Sequence, residues 1–577
     1  MAMPLYEQEV TTASPGDQSS SKDDANTWEI PMRPLHGGAT PGISPSSTWA
    51  EFSSFRHDPD DVHLTASDSA SKLAIQYISG WKLVAVMTGI TLTCFLVLLD
   101  VSILVTAIPS ITTDFHSLFD IGWYGSAYNL ASCALQPLSG KLYTYLSAKW
   151  TFLSFFFIFE AGSLICALAG SSNVFIVGRA VSGIGASGLQ NGALTIIAAC
   201  APLERRPILT GIMIGLGQVG LVAGPLLGGA ITEYSTWRWF GVICAVILVF
   251  TKIPDMRRHQ RKYVGGLTLS KLDLPGFFMF APFAIMTLLA LQYGGNDYPW
   301  KSATVIGLFC GGGIALIVFM AWEAYVGDDA MIPISIVRKR QVWTSCLVML
   351  TLFGTIIATS YYMAIYFQAV KGMTPFNSGV SMLPLILSQV VGALLAGVYV
   401  QKAGYYIVAM VAGATIATIG NGLLSTLSPD SPTTSWAGFQ ILAGLGRGLT
   451  FQIPILATQA HTPPDVTALA TATLVFCQTF GGAIFIGAAN SIFSNKLKDE
   501  LVRRLPMIDP DRIVGAGATG LDKIIPSQIL PTVLEAYSKA IGSVFYLVVA
   551  GSGCLFVVCW GMGFTDVRRK GLKGADH

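Results

Sequence analysis

Charge is what this sequence has least of. Only 12% of its 577 residues are Asp, Glu, Lys or Arg, while 52% are hydrophobic. A soluble domain carries about a quarter charged residues, and the mean hydropathy of +0.58 excludes an ordinary water-soluble chain. A net charge of +2 leaves no strong global field to attract nucleic acid. The ten cysteines form no CxxC pair and no Cys/His cluster at metal spacing, so no metal is expected. They lie in or beside apolar stretches and read as small buried hydrophobes. GxxxxGK[ST], the phosphate-cradling loop, does not occur. Neither does HExxH, nor GxSxG at a strand–turn–helix. No enzyme activity and no cofactor are therefore expected, and any work must come from an ion gradient or a solute's own gradient. Residues 1–30 lack the apolar core of a secretory signal, so the first hydrophobic helix is expected to serve as an uncleaved insertion signal.

Long apolar runs fill the rest. Residues 1–75 are rich in Ser, Thr, Pro, Asp and Gly and read as a disordered tail. Beyond them, about fourteen runs approach the ~20 apolar residues that a helix needs to span a bilayer. Helices are expected because open strands would leave backbone groups unpaired in lipid. The fold class is all-α: a six-helix bundle over 83–254, an inserted helix pair over 273–322, a second six-helix bundle over 342–564, and a short tail, 565–577. In this reading the first span is 83–108, the thirteenth and fourteenth are 466–491 and 541–564, and 492–540 is a long external loop. Two echoes suggest that the bundles are pseudo-repeats. Gly183-Ile184-Gly185 with Gln190 is matched by Gly444-Leu445-Gly446 with Gln452, and Gly140–Lys149 by Gly397–Lys402.

Basic residues set the orientation. Lys141, Lys149, Arg205, Arg206, Arg257, Arg258, Arg338, Arg340, Lys402 and Arg568 fall on one side of the spans, against Arg238, Lys301 and Lys371 in the short opposite loops. This asymmetry places both termini in the cytoplasm. The cell membrane is the expected location, with a vacuolar or vesicle membrane as the alternative.

A few polar residues inside the spans carry the functional reading. Arg179, in "IVGRAVSGIGASGLQNG", costs at least about 2.5 kcal/mol at mid-membrane and needs an interior carboxylate. Asp100, in "LLDVSILVTAIP", is the candidate. At 1.5 Å per residue the two lie roughly 13 and 9 Å below the same surface. Protonating Asp100 would free Arg179, a proton-driven switch. Glu160, in "FFFIFEAGSL", is a further candidate proton site. "GLGQVGLVAGPLLGGA" places Gly217, Gly220, Gly224, Gly228 and Gly229 where small residues let two helices approach closely, with Pro225 as a kink. Asn129, Gln136, Gln190, Gln218, Tyr361, Tyr362, Gln368, Gln389 and Gln452 lie within apolar helices. They are the candidate substrate pocket, suited to a bulky, partly hydrophobic solute rather than a sugar or phosphate.

Taken together, these segments resemble the major facilitator superfamily, specifically its fourteen-helix drug:proton antiporters and, most closely, filamentous-fungal efflux pumps for toxins and other secondary metabolites. "LLDVSILVTAIP" is similar to the family's first-helix motif, "GRAVSGIGASG" to its fourth-helix motif, and "GLVAGPLLGGAITEYSTWRW" to its antiporter motif with the Trp-Arg-Trp that follows. "YYMAIYFQAVKGMTPFNSGVSMLP" is similar to the segment that opens the second half. The resemblance covers roughly 80–565. It implies a monomeric secondary transporter whose partners are a small-molecule substrate, protons and the bilayer, with Arg179 in proton coupling and the 217–229 face favouring export of amphipathic molecules. Uptake of an iron chelate or organic nutrient is the alternative, since fold does not fix direction. Two departures stand out. "GKLYTYLSAKW" lacks the acid and the arginine pair of the usual loop motif. The sixth span, 236–254, is short and reads as a small deletion.

Overall fold

The computed structural model describes residues 78–115, 120–234, 269–295, 298–506 and 526–566, all within the unit Ala74–His577. The expectations for the tail 1–75, the short sixth span 236–254 and the last residues of the chain fall outside the described residues.

Among the described residues the structure is helical, with two isolated bridges, Gly294 to Tyr298 and Tyr405 to Asp566, and ten of its helices are long and apolar enough to cross a membrane. The first bundle contributes α1 (Trp81–Phe115), α2 (Ile121–Tyr145), α3 (Ala148–Ala167), α4 (Ser172–Cys200) and α5 (Arg206–Tyr234). The inserted pair is α6 (Leu274–Tyr293) and α7 (Ala303–Val326). The second bundle comprises α8 (Arg340–Ile365), α9 (Leu383–Ala403), α10 (Tyr406–Leu424), α11 (Thr433–Phe451), α12 (Ile453–His461), α13 (Thr467–Arg504) and α14 (Leu530–Cys559). α11 and α12 form one span, broken at Gln452, where Pro454 opens the second piece. A π turn, Tyr366–Val370, closes α8. Starts are marked by local chemistry: the hydroxyls of Ser147, Ser302 and Thr374 accept from backbone N–H groups three residues on, satisfying donors a helix start leaves open.

Two boundaries differ from the sequence reading. α1 runs past 108 to Phe115. The long loop 492–540 is shorter at both ends, because α13 continues to Arg504 and α14 begins at Leu530. Both extensions are amphipathic rather than apolar, so hydropathy hides them. They are tied together by the Arg504–Glu535 pair, and within α13 Glu500 holds Arg503 at 2.6 Å and Arg504 at 3.0 Å.

The halves meet along two seams, α2 against α13 and α5 against α9. Each depends on small residues. A Cβ at Gly140 would stand 2.6 Å from the Ala472 Cβ, and one at Gly397 would stand 3.0 Å from the Ile208 Cα. The inserted pair packs on itself, and α6 lies against both α2 and α13. Phe280 there contacts Phe319 and Phe476, with ring centroids 5.2 and 4.9 Å apart.

One end of this pair is pinned by polar contacts. Asp273 caps α6 in the left-handed region (φ 49°), a conformation that costs a non-glycine residue roughly 1 kcal/mol. Its carboxylate accepts from Gly276 N at 3.1 Å, Trp322 Nε1 at 2.8 Å and Met331 N at 2.8 Å. Lys141, which the sequence places in a solvated basic loop, is instead 2% exposed and donates to the Asp329 carbonyl at 2.6 Å. That bond ties α2 to the segment after α7.

Within the first bundle α1 lies along α5. A Cβ at Gly220 would fall 2.5 Å from the Phe95 carbonyl oxygen, and one at Gly224 equally close to Ser102 Cβ. At Gly217 the nearest atom would be 3.3 Å away. Gly220→Val should therefore push α1 off α5 and lower the melting temperature of the detergent-purified protein by several degrees, while Gly217→Ala changes it little. Equal effects would contradict this packing.

Candidate functional site

The site begins where α1, α2 and α4 converge. Arg179 lies on α4, seven residues past Ser172 and so roughly 10 Å along the helix. It is 4% exposed, and its Nη1 donates to Asp100 Oδ2 of α1 at 2.7 Å. Its Nε donates to the Tyr124 carbonyl at 3.0 Å, and the guanidinium lies 4.7 Å from the centre of the Tyr128 ring. One cation thus joins three helices through a charge-assisted bond, a backbone bond and a cation–π contact. The chain beside it is fixed as well. The Tyr124 hydroxyl donates to Ser172 Oγ at 3.0 Å, and Ser172 in turn donates to Asp120.

Glu160 stands apart from this group. It is buried on α3, 8% exposed, and among the described residues neither carboxyl oxygen has a hydrogen-bond partner. Such a group is costly to keep unless something is to bind it, a proton included.

A cavity of about 90 Å³ opens between the halves. The first bundle offers Cys94, Leu189, Gln190, Met213 and Gln218; the second offers Phe353, Phe451, Ile455 and Gln478. The wall is mostly apolar with a few amides, the pattern of a site for a partly hydrophobic molecule. Gln190 Oε1 has no partner among the described residues, so it is available to a ligand donor. Leu98 lines the cavity two residues before Asp100, so α1 carries both the ion pair and part of the cavity wall.

Seven of the nine pocket candidates lie off this cavity. Asn129 and Tyr361 are exposed and do not line this cavity. Gln452 donates to the Ala393 carbonyl at 2.9 Å and ties two helices together. Gln136, Gln389 and Tyr362 are buried in helix packing, and Gln368 sits in the π turn. An amide inside a span is as easily held by a neighbouring helix backbone as by a ligand, which is why side-chain type alone misplaces them. Gln190 and Gln218 line the cavity, as does Gly217. Gly220 and Gly224 pack on α1 instead. Pro225, Gly228 and Gly229 fall on the end of α5 whose side chains are outside the described residues. Gln478 and the Phe353–Phe451 pair were not singled out by the sequence. Neither was Arg447, although the reasoning that isolates Arg179 applies to it without change. Among the described residues no cluster of His, Cys, Asp or Glu could hold a metal ion.

Residues 90–486 match the family model described as Major Facilitator Superfamily. The chain belongs to that superfamily. It is 50% identical over 500 residues to the MFS-type transporter pigP of Monascus ruber, covering 85% of this chain and 88% of that one. It is 48% identical to the efflux pump mlcE of Penicillium citrinum, covering 88% and 94%. Among solved structures, the human organic anion transporter MFSD10 superposes with a TM-score of 0.54 at 14% identity, covering 82% of this chain and all of that one. A double-tryptophan XylE mutant gives 0.53 at 14% identity, covering 84% and 98%. These two likenesses are of fold alone. As a major facilitator protein the chain is a multi-pass membrane transporter of small molecules, not an enzyme.

The Arg179–Asp100 pair has a testable energetic signature. Arg179→Ala leaves Asp100 buried and unpaired, a loss of about 3–5 kcal/mol. Combining Arg179→Gln with Asp100→Asn removes both charges and should restore most of that stability. Thermal unfolding of the wild type, Arg179→Gln, Asp100→Asn and their combination in a double-mutant cycle reads the coupling; additive losses would contradict a direct pair.

Proposed function

We propose that this chain is a proton-coupled exporter of small amphipathic molecules, acting as a monomer in the cell membrane with both termini in the cytoplasm. The Arg179–Asp100 pair is the observation that carries this reading. It is buried, it joins α1 to α4, and α1 also forms part of the cavity wall. A proton taken up by Asp100 cancels the charge that holds Arg179. The guanidinium then keeps its bonds to α2 and loses the one to α1, so α1 can shift against α4 and carry its share of the cavity wall with it. A proton can move the equilibrium by no more than its differential affinity for the two states, and one pH unit across the membrane supplies about 1.4 kcal/mol per proton. That is enough to bias a transporter whose states differ little in energy. Glu160 is a second proton site in this proposal, because its carboxyl lies unpaired in the same bundle.

Cargo binds in the cavity between the halves, its apolar body against Met213, Phe353, Phe451 and Ile455 and its polar groups on Gln190, Gln218 and Gln478. The export direction is supported by relatives that are named efflux pumps, among them mlcE. It is supported as well by the close α1–α5 contact at Gly220 and Gly224, which holds the gradient-sensing helix to a wall of the cavity. The bundles 83–254 and 342–564 are the moving bodies in this scheme, and the pair 273–322 rides on the α2–α13 seam.

Transport of an amphipathic dye into inside-out proteoliposomes tests the proposal. An acid lumen should drive accumulation several-fold over a zero-gradient control, and Asp100→Asn should abolish that dependence while leaving dye binding intact. Accumulation that ignores the gradient would refute proton coupling. Gradient-driven movement in the opposite direction would mark an uptake carrier.

A further inference from the structure

The second bundle contains a buried cation with no counterion among the described residues. Arg447 lies on α11 and is 1% exposed. Its Nη2 donates to Asn421 Oδ1 of α10 at 3.0 Å. Asn421 is itself fixed, since its Nδ2 donates to Ser552 Oγ of α14 at 2.8 Å and that hydroxyl donates on to the Val548 carbonyl at 2.9 Å. The asparagine therefore presents an oxygen to the arginine and nothing more. Arg447 Nε and Nη1 have no acceptor among the described residues, and no carboxylate there pairs with it. A guanidinium is not deprotonated in proteins, so the charge is permanent. Arg179, in the other half, has Asp100; Arg447 has one neutral amide.

The direction of the side chain follows from its neighbours. Gly444 and Gly448 press against α9 at Leu385, Ser388 and Gln389, and Gly446 against α10 at Gly413 and Ala417. Ile441 and Leu442 face outward, 48% and 37% exposed. Arg447 lies opposite those two and points into the bundle. Phe451, four residues on, shares its helical face and lines the cavity. Arg447 is thus one turn beyond the cavity wall, roughly 6 Å along α11 toward Thr433. The wall there is a pair of aromatic rings, Phe353 and Phe451, with centroids 6.3 Å apart and planes at 64°. This is an ordinary edge-to-face pairing, and rotation of either side chain would open the way from the cavity toward Arg447.

We propose that Arg447 is the anion-recognition residue of the second half and that the cargo carries a carboxylate. This inference rests on the reading of the cavity as the cargo site. The apolar body of the cargo remains against Phe353 and Phe451, and its carboxylate passes between the rings to the donors that Arg447 leaves open. A carboxylate supplies the missing charge and two oxygens for a planar fork, the geometry in which arginine binds acids. A neutral ester carries no charge and offers only its carbonyl oxygen as a good acceptor, and an amine meets a like charge.

Purified protein and three probes on one scaffold test this: pyrenebutyrate, its methyl ester and pyrenebutylamine, with binding read by fluorescence in the absence of any gradient. The wild type should bind the acid at least tenfold more tightly than the ester or the amine. Arg447→Gln should bring acid and ester within about twofold of each other without lowering the melting temperature, because it removes an uncompensated charge. Arg447→Lys should keep a reduced preference for the acid. Equal binding of acid and ester by the wild type would overturn the proposal, as would an undiminished preference in Arg447→Gln. So would melting of both variants below the wild type, which marks Arg447 as a structural bond to Asn421. The binding difference is independent of the proton-coupled export reading: dye transport that ignores the gradient defeats that reading and leaves the acid preference standing.

Discussion

A guanidinium inside a membrane protein must be answered by something, and the first bundle is organised around one answer. Arg179 gathers the Asp100 carboxylate, the Tyr124 carbonyl and the Tyr128 ring, which come from two other helices. The positions of α1, α2 and α4 thus depend on one charge being satisfied. This is a poor way to gain stability, because desolvating two ions offsets most of their attraction. It is an effective way to build a switch, because neutralising one partner removes the reason for the arrangement. In the proposed mechanism, the same interaction that fixes the bundle is the one a proton releases.

The seams make such a release consequential. The two halves touch along α2–α13 and α5–α9, where Gly140 admits the Ala472 methyl, Gly211 the Gln452 amide and the Ala393 carbonyl, and Gly397 the backbone of Pro207 and Ile208. Smooth, small-residue contacts let helices slide or part with little repacking. α5 sits on a seam and also lies along α1 through Gly220 and Gly224, so a displacement of α1 has a direct mechanical path to the interface between halves. α6 bridges the other seam and is anchored by Asp273 and by the Lys141 bond. The inserted pair is thereby attached to α2 at its end, a fixed strap beside a moving joint.

Much of this was legible in the sequence because membranes impose simple rules. Apolar runs of span length gave the helices and the all-α class. The cost of an intramembrane charge isolated Arg179 and Asp100. What was not legible has physical reasons. The ends of α13 and α14 are amphipathic, so a hydropathy window reads Glu500, Arg503 and Arg504 as loop. Lys141 looks like a solvated charge, yet the inserted pair folds over it. Glutamine in a span is ambiguous between ligand and helix contact, and Gln452 resolves one way while Gln190 resolves the other. Arg447 is different. It was as visible as Arg179 but sits in a glycine-rich stretch that reads as packing, and no span of the second bundle holds an Asp or Glu to suggest a partner.

The central claim is that Asp100 is the proton-accepting group whose neutralisation releases Arg179. Difference infrared spectroscopy of the reconstituted protein, comparing neutral and acid conditions in the carboxylic-acid stretching region, tests it directly. The account predicts an acid-induced carboxylic-acid band that is absent in Asp100→Asn and retained in Glu160→Gln. A band that persists in Asp100→Asn and vanishes in Glu160→Gln would move the proton to Glu160 and leave the Arg179–Asp100 pair a fixed structural tie.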